Sequence, residues 1–178
     1  GELKAEGCDE LVVLSLYPQN ALSTTGVVAD KTLAALSAFD WHPQTKLVGY
    51  YSAHLLYLEA IAASIRAAGF DSSAGDKLLF AFHSIPVRDI RNGDDYEDKA
   101  RATANAVARL LELDVQDWAL GFQCRFDKAR SWLDPFIPEA LQTLGAPRGR
   151  LFVVAPNFSI DCLETLYDID IELRQQVC

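Results

Sequence analysis

The sequence predicts an α/β fold: a three-layer α/β/α sandwich around a mostly parallel five-stranded sheet. Three observations lead there. Five short apolar runs rich in Val, Leu, Ile and Phe alternate with longer stretches whose apolar residues recur at helical spacing. The runs are nearly continuous instead of alternating with polar residues, as expected of strands covered on both faces and joined by helical crossovers. The 178 residues, half of them apolar, suit one domain of ordinary size with a filled core.

The first strand is the run LVVLSL at 11–16, stopped by Tyr17, Pro18 and Gln19. A helix is expected over 27–37, followed by a second strand over 46–51. Residues 55–68 form a second helix rich in Leu, Ile and Ala and closed by Gly69. Strand three is KLLFAF at 77–82. The clearest helix comes next, with Asp94 or Asp95 as its cap. Ala100, Ala104, Val107, Ala108 and Leu111 lie on its inner face, and Glu97, Lys99 and Arg101 on the outer one. Strand four is WALGF at 118–122, a short helix over 138–144 ends at Gly145, and strand five is RLFVVA at 150–155. A last helix begins near Asp161. No internal boundary, repeat or low-complexity segment divides the chain, which reads as a single domain over 1–178.

Charge and composition exclude several classes. Sixteen Lys and Arg against 25 Asp and Glu leave a net charge of -9, which argues against a nucleic-acid partner or binding to an anionic membrane surface. No apolar run reaches the roughly 18 residues of a membrane span, and the opening residues lack the order of a signal peptide, so a cytoplasmic protein is expected. Cys8, Cys124, Cys162 and Cys178 are too far apart for a CxxC pattern and are expected as reduced thiols. There is no GxGxxG, GxxxxGK[ST] or GxSxG motif, so dinucleotide, P-loop and hydrolase chemistry lack support.

In sheets of this class ligands bind beyond the carboxyl ends of the strands. Four polar or aromatic clusters fall on that rim: Tyr17-Pro18-Gln19, His83-Ser84-Ile85-Pro86, Gln123-Cys124-Arg125-Phe126 and Pro156-Asn157-Phe158-Ser159. His83 leaves a buried strand, where an imidazole is either satisfied by a hydrogen bond or exposed in a cleft as base, acid or ligand. Its position and the following proline favour function. Glu164, Asp168 and Glu172 recur at intervals of four and form one carboxylate row on the last helix, with Asp161 and Glu164 in its first turn. The apolar Leu163, Leu166, Tyr167, Ile169 and Ile171 leave little room for that row to face outward, so it suits a passing divalent cation or departing protons. Tyr17, Phe126 and Phe158 are placed to wall a flat apolar ligand.

The run Leu79 to Pro86, LFAFHSIP, resembles the signature strand and loop of ferrochelatases, and the block from Ser159 to Glu172 is similar to their acidic helix. Leu16-Tyr17-Pro18-Gln19 with Ser23-Thr24-Thr25-Gly26 is a third match, and Gly93 to Tyr96 and Phe122 to Arg125 are weaker ones. The likeness is collinear over nearly the whole chain. It implies a chelatase-like fold and insertion of Fe(II) into a porphyrin, protoporphyrin IX by expectation, with release of two protons.

By motif position His83 and Glu164 match the facing catalytic pair. His83, Glu164, Asp168 and Glu172 match the metal and proton residues, and Tyr17, Ser23, Ser84 and Phe158 the porphyrin-binding segments. Cys162 and Asp161 are marginal members; Cys162 stands where some relatives have a second histidine. The family's carboxylate helix often carries a π-turn, which would re-aim this row. Residues 1–26 resemble the end of the first of the family's two lobes and 27–178 most of the second, so the chain is expected to be inactive by itself. The resemblance implies porphyrin and ferrous iron as partners, no permanently bound cofactor and no 2Fe-2S cluster, and leaves peripheral membrane association open. A cobalt or nickel chelatase for another tetrapyrrole, or a non-catalytic tetrapyrrole-binding module of chelatase ancestry, is the alternative.

Overall fold

The computed structural model describes residues 1–177. In chain order the elements are α1 (Glu2–Ala5), β1 (Glu10–Leu14), a π-helical turn (Leu22–Gly26), α2 (Val27–Ala38), β2 (Gln44–Val48) and α3 (Leu55–Ala67). A short 3₁₀ turn (Ser72–Ala74), β3 (Lys77–His83), α4 (Val87–Arg91), α5 (Tyr96–Leu110), β4 (Trp118–Gln123), α6 (Ile137–Leu144) and β5 (Leu151–Val154) follow. A π-helical segment (Glu164–Leu173) and α7 (Arg174–Val177) end the described chain.

All five expected strands form and all pair in parallel, divided between two sheets: β1 with β2, and β4-β3-β5. Strands one and two end earlier than the apolar runs suggest. The chain turns inward after Leu14, burying Ser15, Pro18 and Gln19, while β2 starts at Gln44 because its register aligns that residue with Glu10. The short α1 and α4 carry too few residues for a periodic signal.

The three-stranded sheet is built around β3, whose residues Leu78 to Phe82 are fully buried. Alternation divides them between two cores. Leu78, Phe80 and Phe82 pack with Ile61 and Ile65 of α3 and with Ala100, Ala104 and Val107 of α5. Leu79 and Ala81 pack with Ile137 and Ala140 of α6 and with Leu173. Each large apolar side chain so buried contributes about 1.5–3 kcal/mol. The topology explains the two layers. The β3-to-β4 connection moves one way along the sheet and the β4-to-β5 connection moves back across β3. Crossovers of one hand therefore leave α5 and α6 on opposite faces. The strand order reverses at β3, so the ligand-binding crevice of such sheets is expected at its carboxyl end.

The two sheets are tied by polar contacts. At the end of the first sheet the Pro18 carbonyl, after β1, accepts from the amides of Tyr51 and Ser52, after β2, at 3.1 and 3.0 Å, and the ties to the second sheet begin with the next residue. Buried Gln19 donates through Nε2 to Thr103 of α5 at 3.0 Å and to Tyr57 of α3 at 3.2 Å. Of the two expected caps of α5, Asp95 takes the N-cap position but makes no side-chain cap bond, while the preceding Asp94 accepts through Oδ1 from the Tyr96 amide at 3.0 Å and through Oδ2 from the Leu22 amide at 2.7 Å. By contrast α2 has no buried residue, and Val12, Leu14, Leu33 and Phe39 are exposed. Cys8, Cys124 and Cys162 are free thiols, and Cys178 lies outside the described residues. Among the described residues no helix is long and apolar enough to cross a membrane.

Asp76 precedes β3 and is buried. Its Oδ1 accepts from the Arg150 amide at 2.7 Å, and its Oδ2 from the Arg150 guanidinium at 2.8 Å and the Asp71 amide at 3.1 Å. The Arg150 guanidinium and the backbone donors hold its carboxyl below the usual carboxylate range. Asp76→Ala is expected to cost about 3 kcal/mol in urea unfolding at pH 7, because buried donors lose their acceptor. A depressed carboxylate stabilises fully above its unfolded value and loses this effect as pH falls through its folded value. The difference between Asp76→Ala and the unsubstituted protein should therefore persist at pH 5 and shrink as pH falls below about 4. Gly121 in β4 is needed for a different reason: a Cβ there would lie 2.9 Å from Ile137 Cα and 3.0 Å from Ala140 Cβ. Gly121→Ala should push α6 off the sheet and cost about 1–3 kcal/mol in the same measurement.

Candidate functional site

The alternation that buries β3 also aims its last residue. Leu79, Ala81 and His83 share a face, so the imidazole emerges on the side of α6 and the π-helical segment. His83 Nδ1 lies 2.6 Å from the Ser84 carbonyl, which can only accept. A neutral ring donating from Nδ1 leaves the Nε2 lone pair free for a proton or a cation. The strand end is held by the Tyr96 hydroxyl, which donates to the His83 carbonyl at 2.7 Å. Burial and the nearby Asp94 carboxylate push the Tyr96 hydroxyl well above the usual phenol range, so it remains a donor. The ring of Phe126 lies against the imidazole at 5.4 Å and that of Phe158 at 6.5 Å.

The acidic helix is π-helical from Glu164 to Leu173. Steps of four residues fall a little short of a π-turn where they overshoot an α-turn, so Glu164, Asp168 and Glu172 still follow one another along it. Glu164 and Asp168 are half-buried and Glu172 is exposed. The apolar residues expected to point inward do the reverse: Leu163, Leu166, Tyr167 and Ile171 are exposed, while Ile169 and Leu173 pack on the sheet. The helix begins later than expected. Asp161 lies before it, exposed, and accepts from the Thr165 hydroxyl at 3.0 Å, while Thr165 Oγ1 accepts from the Cys162 amide at 3.0 Å.

His83 and Glu164 meet, together with Cys124, which the sequence places on the rim but not among the metal or catalytic residues. One ligand atom each of His83, Cys124 and Glu164 lie within 4.8 Å of one another, and all three side chains are half-buried. Cys124 follows β4, which ends level with β3 at the pair His83 and Gln123. The parallel register is the signal that could have found it: the residue after one strand neighbours the residue ending the other. Its thiol donates to Asp168 Oδ2 at 3.1 Å, and burial, that hydrogen bond and the Glu164 carboxylate hold it well above the usual thiol range.

A cavity of about 580 Å³ opens beside this group, within the roughly 300–1,000 Å³ typical of ligand sites. Tyr17, Ser23, Ser84, Phe158, Cys162 and Glu164 line it with His83, whereas Asp161, Asp168 and Glu172 do not. Ser84 is fully buried and its hydroxyl donates to the Leu133 carbonyl at 3.0 Å, so it braces the wall. Trp132, Asn157, Arg88 and Arg130 also line the cavity. Asn157 keeps a buried Oδ1 without a hydrogen-bond partner, and Gln19, another lining residue, keeps a buried Oε1 in the same state.

The family model described as Ferrochelatase matches residues 1–178. A ferrochelatase of Aromatoleum aromaticum is 39% identical over 175 residues, covering 98% of this chain and 48% of the relative. One of Methylococcus capsulatus is 40% identical over 169 residues, covering 94% and 52%, and one of Nitrosococcus oceani 38% over 169 residues, covering 94% and 46%. The chain thus spans about half the length of the curated relatives it matches.

Tyr57 joins two walls of the cavity. Its hydroxyl donates to the Pro156 carbonyl at 2.5 Å and accepts from Gln19, and burial raises its pKa far above the phenol range. Tyr57→Phe leaves both partners underbonded and is expected to lower stability by about 1–3 kcal/mol, read as a shift of the urea midpoint at unchanged slope.

Proposed function

The chain belongs to the ferrochelatase family, and on that premise we propose that it carries the metal-inserting wall of an enzyme that places Fe(II) into protoporphyrin IX and releases two protons. As a class this is lyase chemistry in haem biosynthesis. One observation carries the reading: the imidazole of His83 and the carboxylate of Glu164 converge beside a cavity walled by Tyr17, Phe126 and Phe158. A porphyrin is flat and apolar, with two N–H protons at its centre that must leave as a cation enters. Aromatic walls suit the ring, an imidazole suits the protons at neutral pH, and carboxylates attract a cation without enclosing it.

In this reading His83 takes pyrrole protons at the nitrogen left free by its bond to the Ser84 carbonyl. Glu164 faces it as the carboxylate that meets the metal. Asp168 and Glu172 continue the row from half-buried to exposed positions, a graded path for cations inward or protons outward. Tyr17, Ser23, Ser84 and Phe158 position the macrocycle. Arg88 and Arg130 line the cavity, each beside an aspartate, Asp89 and Asp127, and their guanidinium groups are suited to the acidic side chains of a porphyrin. Cys162 and Asp161 remain outside the reacting group: the first lines the cavity and the second braces the start of the acidic helix.

The separate β1–β2 sheet suits a division into two lobes, but not at the boundary expected from the resemblance, 1–26 against 27–178: it places β2 with β1, so the end of the first lobe extends past residue 48. That pairing draws residues 44–48 to the side of β1. The exposed apolar residues of β1 and α2 suit a face that further parts of a first lobe would cover. Activity is accordingly expected of a chain holding both lobes. Reduced thiols suit a cytoplasmic setting.

The test is anaerobic Fe(II) insertion into protoporphyrin and coproporphyrin by the intact enzyme, followed by loss of porphyrin fluorescence. Insertion is expected, with His83→Ala lowering kcat at least about 100-fold while porphyrin binding persists. Failure to metalate either porphyrin, or unchanged turnover in His83→Ala, would overturn the assignment.

A further inference from the structure

We propose that the Cys124 thiol is a third metal donor, so that His83, Cys124 and Glu164 together hold a borderline divalent cation, Fe(II), Co(II) or Zn(II), at the cavity wall before it is transferred. The transfer step rests on the ferrochelatase reading above; the donor set rests on geometry alone.

Strand alternation would send Cys124 the other way. Leu120 and Phe122 of β4 pack on the α3–α5 side, and the residue two further on belongs to the same face. The backbone at Cys124 instead takes φ 65°, a left-handed conformation that is uncommon and costly for a residue with a side chain. The result is a thiol on the opposite side, against Asp168 at 3.1 Å and among the ligand atoms of His83 and Glu164. Strain is thus spent on bringing sulfur to the imidazole and the carboxylate.

The donor types and their number are informative. Nitrogen, sulfur and oxygen from three side chains make the open form of a tetrahedral site, with a fourth position left for an exchangeable ligand. Glu164 and His83 both line the cavity, so that position faces the space where an acceptor macrocycle would lie. Tetrahedral donors sit about 3.3–3.8 Å apart at ordinary metal–ligand lengths, so the present limit of 4.8 Å closes by side-chain movement of about 1 Å. Sulfur also biases the site toward Fe(II), Co(II) and Zn(II) and away from Mg(II) and Ca(II). On ligation the S–H bond breaks as the sulfur–metal bond forms, its electron pair stays on sulfur, and the proton passes to Asp168 Oδ2, its present acceptor. No oxidation state changes. Cys162 lines the same cavity outside the three-donor group and serves as the internal control.

The test is a Co(II) titration of the intact, reduced protein without porphyrin, read by the near-ultraviolet thiolate-to-cobalt charge-transfer absorption. Absorption is expected in the unsubstituted protein and in Cys162→Ser, and its loss in Cys124→Ser, which keeps a hydroxyl donor to Asp168. The Kd for Zn(II) should rise at least about tenfold in Cys124→Ser. Should that variant fail to fold, saturating Zn(II) should slow alkylation of Cys124 in the unsubstituted protein at least about tenfold, leaving Cys8 unaffected. No absorption in the unsubstituted protein, its persistence in Cys124→Ser, its loss in Cys162→Ser, or no protection of Cys124 overturns the proposal. Porphyrin metalation without the absorption overturns the thiol donor and keeps the ferrochelatase reading. The absorption without metalation keeps the donor and overturns that reading.

Discussion

Strand β3 has no solvent side, and much of the structure follows from that constraint. Five consecutive side chains must be buried, so α3 and α5 are needed on one face and α6 with the π-helical segment on the other. The same two-residue period delivers His83 to the second face, where the acidic helix passes. Because β4 and β5 flank β3 on either side, the strand order reverses at its carboxyl end. The histidine therefore stands where a crevice opens between diverging connections. The catalytic candidate is thus placed by packing: the burial that stabilises the sheet also orients the imidazole.

Against that rigid base, the polar contacts around the cavity are tight and local. Tyr96 holds the His83 carbonyl, Ser84 holds Leu133, and Tyr57 spans from Gln19 to Pro156. Buried oxygens of Gln19 and Asn157 without partners stand among the lining residues, polar capacity that a bound ligand can satisfy. The electrostatics are uneven. A chain with a net charge of -9 collects Glu164 and Asp168 on one half-buried row, and of these only Glu164 lines the cavity that Arg88 and Arg130 also line. Opposite charges therefore stand at different parts of one cleft.

The acidic helix shows why a periodic pattern alone misleads here. Its apolar residues predict an inward apolar face, yet Leu163, Leu166, Tyr167 and Ile171 are exposed, while Ile169 and Leu173 pack on the sheet and Glu164 and Asp168 are half-buried beside them. Where a helix lines a site, part of its inner surface is given to polar residues and the apolar residues that cover the core are fewer. The π geometry supports this by keeping residues four apart in register along the row.

Local chemistry in the sequence was sufficient for the five strands and the longer helices, though not for the short α1 and α4. Continuous apolar runs named all five strands, Gly69 and Gly145 closed the helices before them, and the rim residues Tyr17, His83 and Phe158 followed from strand ends. His83 and Glu164 were legible because each belongs to a distinctive block. Tertiary structure alone decided the division of the strands into two sheets, since an apolar run does not encode its neighbour. It also decided the meeting of Cys124 with His83 and Glu164. That contact depends on the register between β3 and β4, on a left-handed backbone at Cys124 and on the direction of a helix 40 residues onward, here represented by Glu164. None of these is a property of nearby residues, and pairing across the sheet is where side chains far apart in sequence become one site.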